Sequence, residues 1–196
     1  RSSSTLSIYM IVQILQFLLE VISGLIAGAC LLRVYMQAQR IPFNNPVGQL
    51  VFALSDWIVM PLRKVIPNRS RYDLSSLIAA VVVVLVQYVL LWLLMGAGGN
   101  VAVVPLLALF GLLRMVLTGL IVILIVYAIL SWVQPHSPIA GVLHRLSEPL
   151  LRPLRKVIPL LGGVDLSALV AIIALQVLLM ILGNLQFSAL AGLSAF

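Results

Sequence analysis

The chain has 196 residues, of which 63% are hydrophobic and 9% charged, and its mean hydropathy is +1.21. Soluble domains run at about 45–50% apolar and about 25% charged, and a globule of this size has too much surface to hide so much hydrocarbon, so a soluble enzyme, a disordered chain and a disulfide scaffold are excluded. Lys and Arg number 12 against 5 Asp and Glu, a net charge of +7; the basic residues lie between apolar stretches, which points to anionic lipid headgroups and not directly to nucleic acid.

A bilayer core of about 30 Å takes about 20 apolar residues in helical form, and four stretches qualify. The first runs Leu6–Leu32, the second Leu74–Met95, the third lies within Val101–Val133, and the fourth runs Leu166–Leu182 and extends toward Phe187. In lipid the backbone must satisfy its own hydrogen bonds, so these are helices. The single cysteine, Cys30, sits inside the first stretch and reads as an inert buried thiol.

The loops set the sidedness. Arg40, Arg63, Lys64, Arg69 and Arg71 lie between spans one and two, and Arg145, Arg152, Arg155 and Lys156 between spans three and four. The Gly96–Asn100 turn and the tail carry no charge. The positive-inside rule then puts both long loops in the cytoplasm and both termini on the other side.

Those two loops repeat each other. Pro-Leu-Arg-Lys-Val-Ile-Pro at Pro61–Pro67 recurs unchanged at Pro153–Pro159, from position 61 to position 153, an offset of 92. In the same register Leu54-Ser55-Asp56 becomes Leu146-Ser147-Glu148, and Asp73-Leu74-Ser75 becomes Asp165-Leu166-Ser167. A string of this length does not recur by chance, so the chain is duplicated. Two spans per copy give both copies the same orientation, hence parallel repeats about an axis along the membrane normal. The expected fold is all-α: four transmembrane helices in two parallel two-helix repeats, 6–95 and 101–187, each with an interfacial amphipathic segment, 46–67 and 138–159. Apolar residues recur there at steps of three and four (Val47, Leu50, Val51, Leu54 in the first copy), the period of an amphipathic helix. Pro61, Pro149 and Pro153 are expected to break or kink these helices, and Trp57 reads as an interfacial anchor.

At Pro61–Pro67, Asp73-Leu74-Ser75, Leu130-Ser131-Trp132, Ser137-Pro138, Pro153–Pro159 and Gly162-Gly163-Val164-Asp165-Leu166-Ser167 the chain resembles the YggT family, also called YlmG, over nearly its whole length. The first copy departs from the pattern, with Asn68–Tyr72 in place of the Gly-Gly connection and Gln37-Ala38 in place of Ser-Trp; the second has Tyr127 where the first has Arg33. The resemblance implies a small bacterial inner-membrane or plastid membrane protein without an assigned enzymatic activity. Members are linked to osmotic stress and potassium uptake, to cell division and nucleoid organisation, and to haem attachment in cytochrome assembly.

Arg63, Lys64, Arg152, Arg155 and Lys156 are candidate contacts for anionic phospholipid or for a membrane-protein partner; the plainer reading is that they only set topology. Asp73 and Asp165 precede a span and read as N-caps, or else as carboxylates that bind a cation or pair with Arg63 and Arg155. Glu20, Arg33 and Arg114 lie inside apolar runs, where charge marks a functional hypothesis. Glu20 and Arg114 occupy equivalent repeat positions and are expected to pair across the pseudo-two-fold, whereas Arg33 is expected to snorkel to the cytoplasmic interface. His136 and His144 match no metal or haem signature, and no phosphate loop or nucleophile elbow is present, so no cofactor, metal or catalytic residue is expected. Gly24-x-x-x-Gly28 is a close-packing face, and a homo-oligomer is open to the chain. A non-catalytic membrane organiser or assembly factor fits best. The runner-up is a cation (potassium) transporter or osmotic-response subunit, for which Gln13, Gln16, Glu20, Gln87 and Gln176 are a thin polar supply.

Overall fold

The computed structural model describes residues 2–66, 72–158 and 166–194. Pro67, Arg69, Arg71, Pro159, the Gly162-Gly163 pair and Asp165 lie outside the described residues. The order is α1 (Ser2–Ala38), α2 (Pro46–Val65), α3 (Leu74–Leu94), α4 (Val103–Val133), α5 (Pro138–Arg155) and α6 (Leu166–Ser194). Four of these, α1, α3, α4 and α6, are long and apolar enough to cross a membrane. At 1.5 Å per residue the 21 residues of α3 match the bilayer core of about 30 Å, while α1 with 37 must tilt or project beyond it.

Local chemistry fixes the ends. The Asn45 side chain accepts from Gly48 N at 2.9 Å, with Pro46 opening α2; Ser137 accepts from Ala140 N at 3.1 Å, with Pro138 opening α5. Each pairs an N-cap with a proline whose missing N–H is one the helix cannot use. The first helix continues past Leu32 because its stop signal lies later. Ile41 N bonds Met36 O at 2.9 Å and Arg40 N bonds Gln37 O at 3.1 Å, a Schellman closure with Arg40 in the left-handed region (φ 55°). Met36 and Ile41, the apolar pair that accompanies it, are both buried. Gly96 (φ 87°) closes α3 in the same way, with bonds from Gly96 N to Leu93 O and from Ala97 N to Trp92 O.

The prolines do not break α2 and α5, the amphipathic helices that form the elbow between the two spans of each repeat. Pro61 lies within a continuous α2, and Pro149 and Pro153 within a continuous α5. All three sit on exposed faces, so the carbonyls they leave unbonded meet the headgroup zone and not a dry core.

Within each repeat the two spans and the elbow helix pack together, α1 with α2 and α3, and α4 with α5 and α6. The buried stripe of α2 is Gly48, Val51, Ser55 and Val59; that of α5 includes Ala140, Leu143, Ser147 and Leu151, the same positions at the 92-residue offset. Ala27 and Cys30 of α1 correspond to Ile121 and Leu124 of α4, all buried, at an offset of 94. The elbows also meet each other: Met36, Val51, Val142, Leu143 and Leu146 form one cluster, and Tyr35 Oη donates across the repeats to Leu146 O at 2.7 Å.

Candidate functional site

The duplicated basic elbows are built differently inside and out. In repeat one the centre is Asp73, with no exposed surface. It caps α3 by accepting from Ser76 N at 3.2 Å and Ser76 Oγ at 2.7 Å. It also accepts from Arg63 Nη2, and Arg33 Nε lies 3.6 Å from the same Oδ2. Burial pushes this carboxyl's pKa up, but the bonds from Ser76 and Arg63 outweigh it and hold the group below the ordinary carboxylate range.

Arg33 does not snorkel. It is 3% exposed, and its guanidinium turns inward: Nη1 donates to Ser55 Oγ at 3.0 Å and to Asp56 Oδ1 at 2.6 Å, over the Phe52 ring at 4.7 Å. The reason is local. Two carboxylates, a hydroxyl and an aromatic face lie within its reach on α2 and α3, and together they replace the water that snorkelling would restore. Two guanidiniums and two carboxylates make the cluster neutral.

Repeat two keeps the motif arginine and drops the buried cation. Arg155 Nη1 donates to Glu148 Oε2 at 2.9 Å and Nη2 to the Tyr127 hydroxyl at 2.8 Å. Tyr127 stands in the place of Arg33, so a phenol oxygen receives the motif arginine where repeat one supplies a second charge. His144 Nε2 lies 3.7 Å from Glu148, and its ring is tilted against Tyr127. Ser147 Oγ, the counterpart of Ser55, is buried and makes no hydrogen bond among the described residues.

Arg63 and Arg155 therefore hold their own repeats together, and other basic residues face outward. On α5 an exposed face carries Arg145, Pro149 and Arg152, continued by the cap Lys156, at steps of four, three and four. Among the described residues none of the three cations makes an ion pair. The equivalent stripe on α2 reads Ala53, Trp57, Met60 and Lys64, apolar but for its last member. Arg145 is the residue that motif reasoning passes over, because it lies upstream of the repeated string; helical period from Arg152 would have found it.

Glu20 and Arg114 do not form an ion pair among the described residues. Arg114 Nη2 donates to Gln186 Oε1 at 2.8 Å, and Glu20 is exposed. α4 touches α1 less than it touches α3, α5 or α6, and Gln186 of α6 takes the place beside Arg114 that Glu20 was expected to fill. Among the described residues no three His, Cys, Asp or Glu side chains are grouped to hold a metal ion.

The sequence matches the CCB3/YggT family over residues 5–94 and 106–186. It is 35% identical over 175 residues to an uncharacterized protein of the proC 3′ region in Vibrio alginolyticus, covering 87% of this chain and 94% of that one. It is 37% identical over 168 residues to the uncharacterized protein YggT of Escherichia coli K12, covering 84% and 86%. A Haemophilus influenzae protein, also uncharacterized, is 29% identical over 173 residues, 88% and 91% of the two chains. No solved structure matches. With both repeats matched and most of each relative covered, this multi-pass helical chain belongs to the CCB3/YggT family.

Proposed function

We propose that the chain is a non-catalytic organiser or assembly factor of the bacterial inner membrane, with its elbows on the cytoplasmic side and its termini on the other. On this reading it gathers anionic phospholipid through α5, and partners served by such a platform include cell-division, cytochrome-assembly or osmotic-response machinery. The observation that carries the reading is the exposed stripe Arg145, Arg152 and Lys156, which has no internal counter-charge among the described residues, beside motif arginines that do. At about 1 kcal/mol per basic side chain near an anionic surface, three give about 3 kcal/mol, roughly a hundredfold preference over neutral lipid.

The test is the lipid retained by purified protein from vesicles of mixed phosphatidylglycerol and phosphatidylcholine. Enrichment in phosphatidylglycerol is expected for the native chain and its loss for Arg145→Glu with Arg152→Glu and Lys156→Glu. Equal enrichment in both overturns the docking role. Potassium flux through the reconstituted protein, abolished by Asp165→Asn, would replace this reading with transport.

A further inference from the structure

A proline inside a helix withholds the N–H that the carbonyl four residues earlier would accept. In α5, Pro149 leaves the Arg145 carbonyl without its helical donor, and Pro153 leaves that of Pro149. The two freed acceptors lie one turn apart, about 6 Å along the axis. Arg145, Pro149 and Pro153 are all exposed, so both carbonyls open onto the outer face that also carries Arg152 and Lys156.

The first repeat shows that the fold does not require this pair of openings. At the 92-residue offset Trp57 stands for Pro149 and Pro61 for Pro153. Pro61 frees the Trp57 carbonyl, but the Ala53 carbonyl has the Trp57 N–H to accept within the continuous α2. The Trp57 indole turns back on its own helix, donating to Leu54 O at 2.9 Å. The cations change together with the proline. Ala53 and Met60 occupy the places of Arg145 and Arg152, and only Lys64 matches Lys156. In α5 the second freed acceptor is thus accompanied by two added arginines.

Three cations beside two open acceptors suit a ligand that is anionic and also donates hydrogen bonds. Glu148, the acid of this stretch, is engaged by Arg155 at 2.9 Å. An ammonium donor is disfavoured beside Arg and Lys by like charge, whereas a hydroxyl is not. Side chains on a helix lean toward its N-terminus, so Arg152 overlies the turn of the freed Arg145 carbonyl and Lys156 that of the Pro149 carbonyl. A phosphate held by either cation brings its own hydroxyl to a carbonyl at high effective concentration, in competition with water. We propose that α5 recognises the glycerol phosphodiester of a phosphatidylglycerol headgroup. Its phosphate oxygens accept from Arg152 or Lys156, and a glycerol hydroxyl donates to the carbonyl of Arg145 or Pro149. The inference rests on lipid docking by α5 and adds a choice among headgroups of equal charge.

A competition for the lipid retained by the purified full-length chain tests it, with phosphatidylglycerol and phosphatidylethanol at equal mole fractions in phosphatidylcholine vesicles. Both are singly charged phosphodiesters, and only the first has a headgroup hydroxyl. One hydrogen bond of ordinary net strength gives the native chain an expected preference for phosphatidylglycerol of about 2- to 10-fold. Pro149→Ala with Pro153→Ala returns an N–H to both carbonyls without touching a cation, and alanine suits a helix interior. That variant is expected to stay enriched in both anionic lipids over phosphatidylcholine and to lose the preference between them. Equal retention of the two by the native chain overturns the hydroxyl contact and leaves the docking role standing, and so does a preference that survives both alanines. Enrichment of neither lipid over phosphatidylcholine overturns the docking role and this inference with it.

Discussion

Asp73→Asn changes one charge and almost no volume, so its cost isolates the electrostatics of the buried cluster in repeat one. The carboxylate is fully buried against Arg63, with Arg33 Nε at 3.6 Å. At an effective dielectric of about 20, a unit pair at that distance is worth about 4–5 kcal/mol before desolvation is subtracted. Asparagine still caps α3, since its oxygen can accept from Ser76 N, but Arg33 then keeps Ser55 and the Phe52 face with Asp56 as its one close counter-charge among the described residues. That ion pair is close, 2.6 Å, yet the Asp56 side chain is 48% exposed and screened. The Arg63 side chain, 33% exposed, can turn toward the headgroups, whereas Arg33 at 4% cannot. Breaking a buried pair by removing one partner costs 3–5 kcal/mol in general, and with Arg63 free to relax the lower end applies, about 3 kcal/mol.

Reversible unfolding of the purified protein in mixed micelles, followed by tryptophan fluorescence, measures that loss. Combining Asp73→Asn with Arg33→Met should recover part of it, with a coupling of at least about 1 kcal/mol, because the stranded cation is gone. A single variant within about 0.5 kcal/mol of the native protein, or strictly additive losses, would refute the claim that the cluster is held by its charges. The acid limb gives a second reading. The folded pKa of Asp73 is depressed, so its contribution is complete above the ordinary carboxylate value of about 3.9 and disappears as pH falls from there through the lower folded value. The native chain should lose stability over that window, and Asp73→Asn should lose less.

Other substitutions probe the frame around the cluster. Arg33→Tyr should destabilise less than Arg33→Ala, since Tyr127 shows that a phenol in this position receives the motif arginine; thermal unfolding of the two variants ranks them. Gly48→Ala and Gly111→Ala should both destabilise, by about 1–3 kcal/mol or more for overpacking, but only the second should be rescuable. A side-chain carbon at Gly48 runs into the Phe43 backbone, which cannot move aside, while at Gly111 it meets the Tyr88 hydroxyl at 2.6 Å and the ring at 2.7–3.0 Å. Tyr88→Leu should therefore restore Gly111→Ala and leave Gly48→Ala as unstable as before, by melting temperature in detergent.

Much of this was legible in the sequence. Hydropathy alone marks the four spans, and the repeated Pro-Leu-Arg-Lys-Val-Ile-Pro string marks the duplication, because both are properties of chain composition and order. Asn45-Pro46, Ser137-Pro138 and Asp73 announce their helix starts through cap chemistry that depends on neighbours in sequence. The end of α1 was harder to see, because its Schellman closure places the non-glycine Arg40 where glycine is usual. The direction of Arg33 was not legible at all. Helical period assigns a residue to a face, but whether a long side chain reaches water or folds inward depends on which partners another helix brings, here Ser55, Asp56 and Asp73. Identical arginines in both copies look like a shared docking surface, yet Arg63 bonds Asp73 and Arg155 bonds Glu148 and Tyr127, so the same residue serves an internal contact in each repeat with different partners.

The two repeats share their helix frame and buried stripes but differ in their polar interiors and in their outer faces, and the two differences are linked by charge. Repeat one buries a second cation, Arg33, and needs two acids to neutralise the pair; the outer stripe of α2 is then apolar, with Trp57 and Met60 exposed. Repeat two has replaced that cation by Tyr127, and its positive charge stands outside, on Arg145, Arg152 and Lys156. A helix whose outer side chains are Trp and Met gains by sinking toward the acyl chains, while one whose outer side chains are Arg and Lys gains by staying among phosphates. The two elbows are joined through the cluster of Met36, Val51, Val142 and Leu146, so neither takes its preferred depth alone. The chain that results presents Trp and Met on the outer face of one elbow and Arg and Lys on that of the other, a polarity that a single repeat, or two identical ones, would lack.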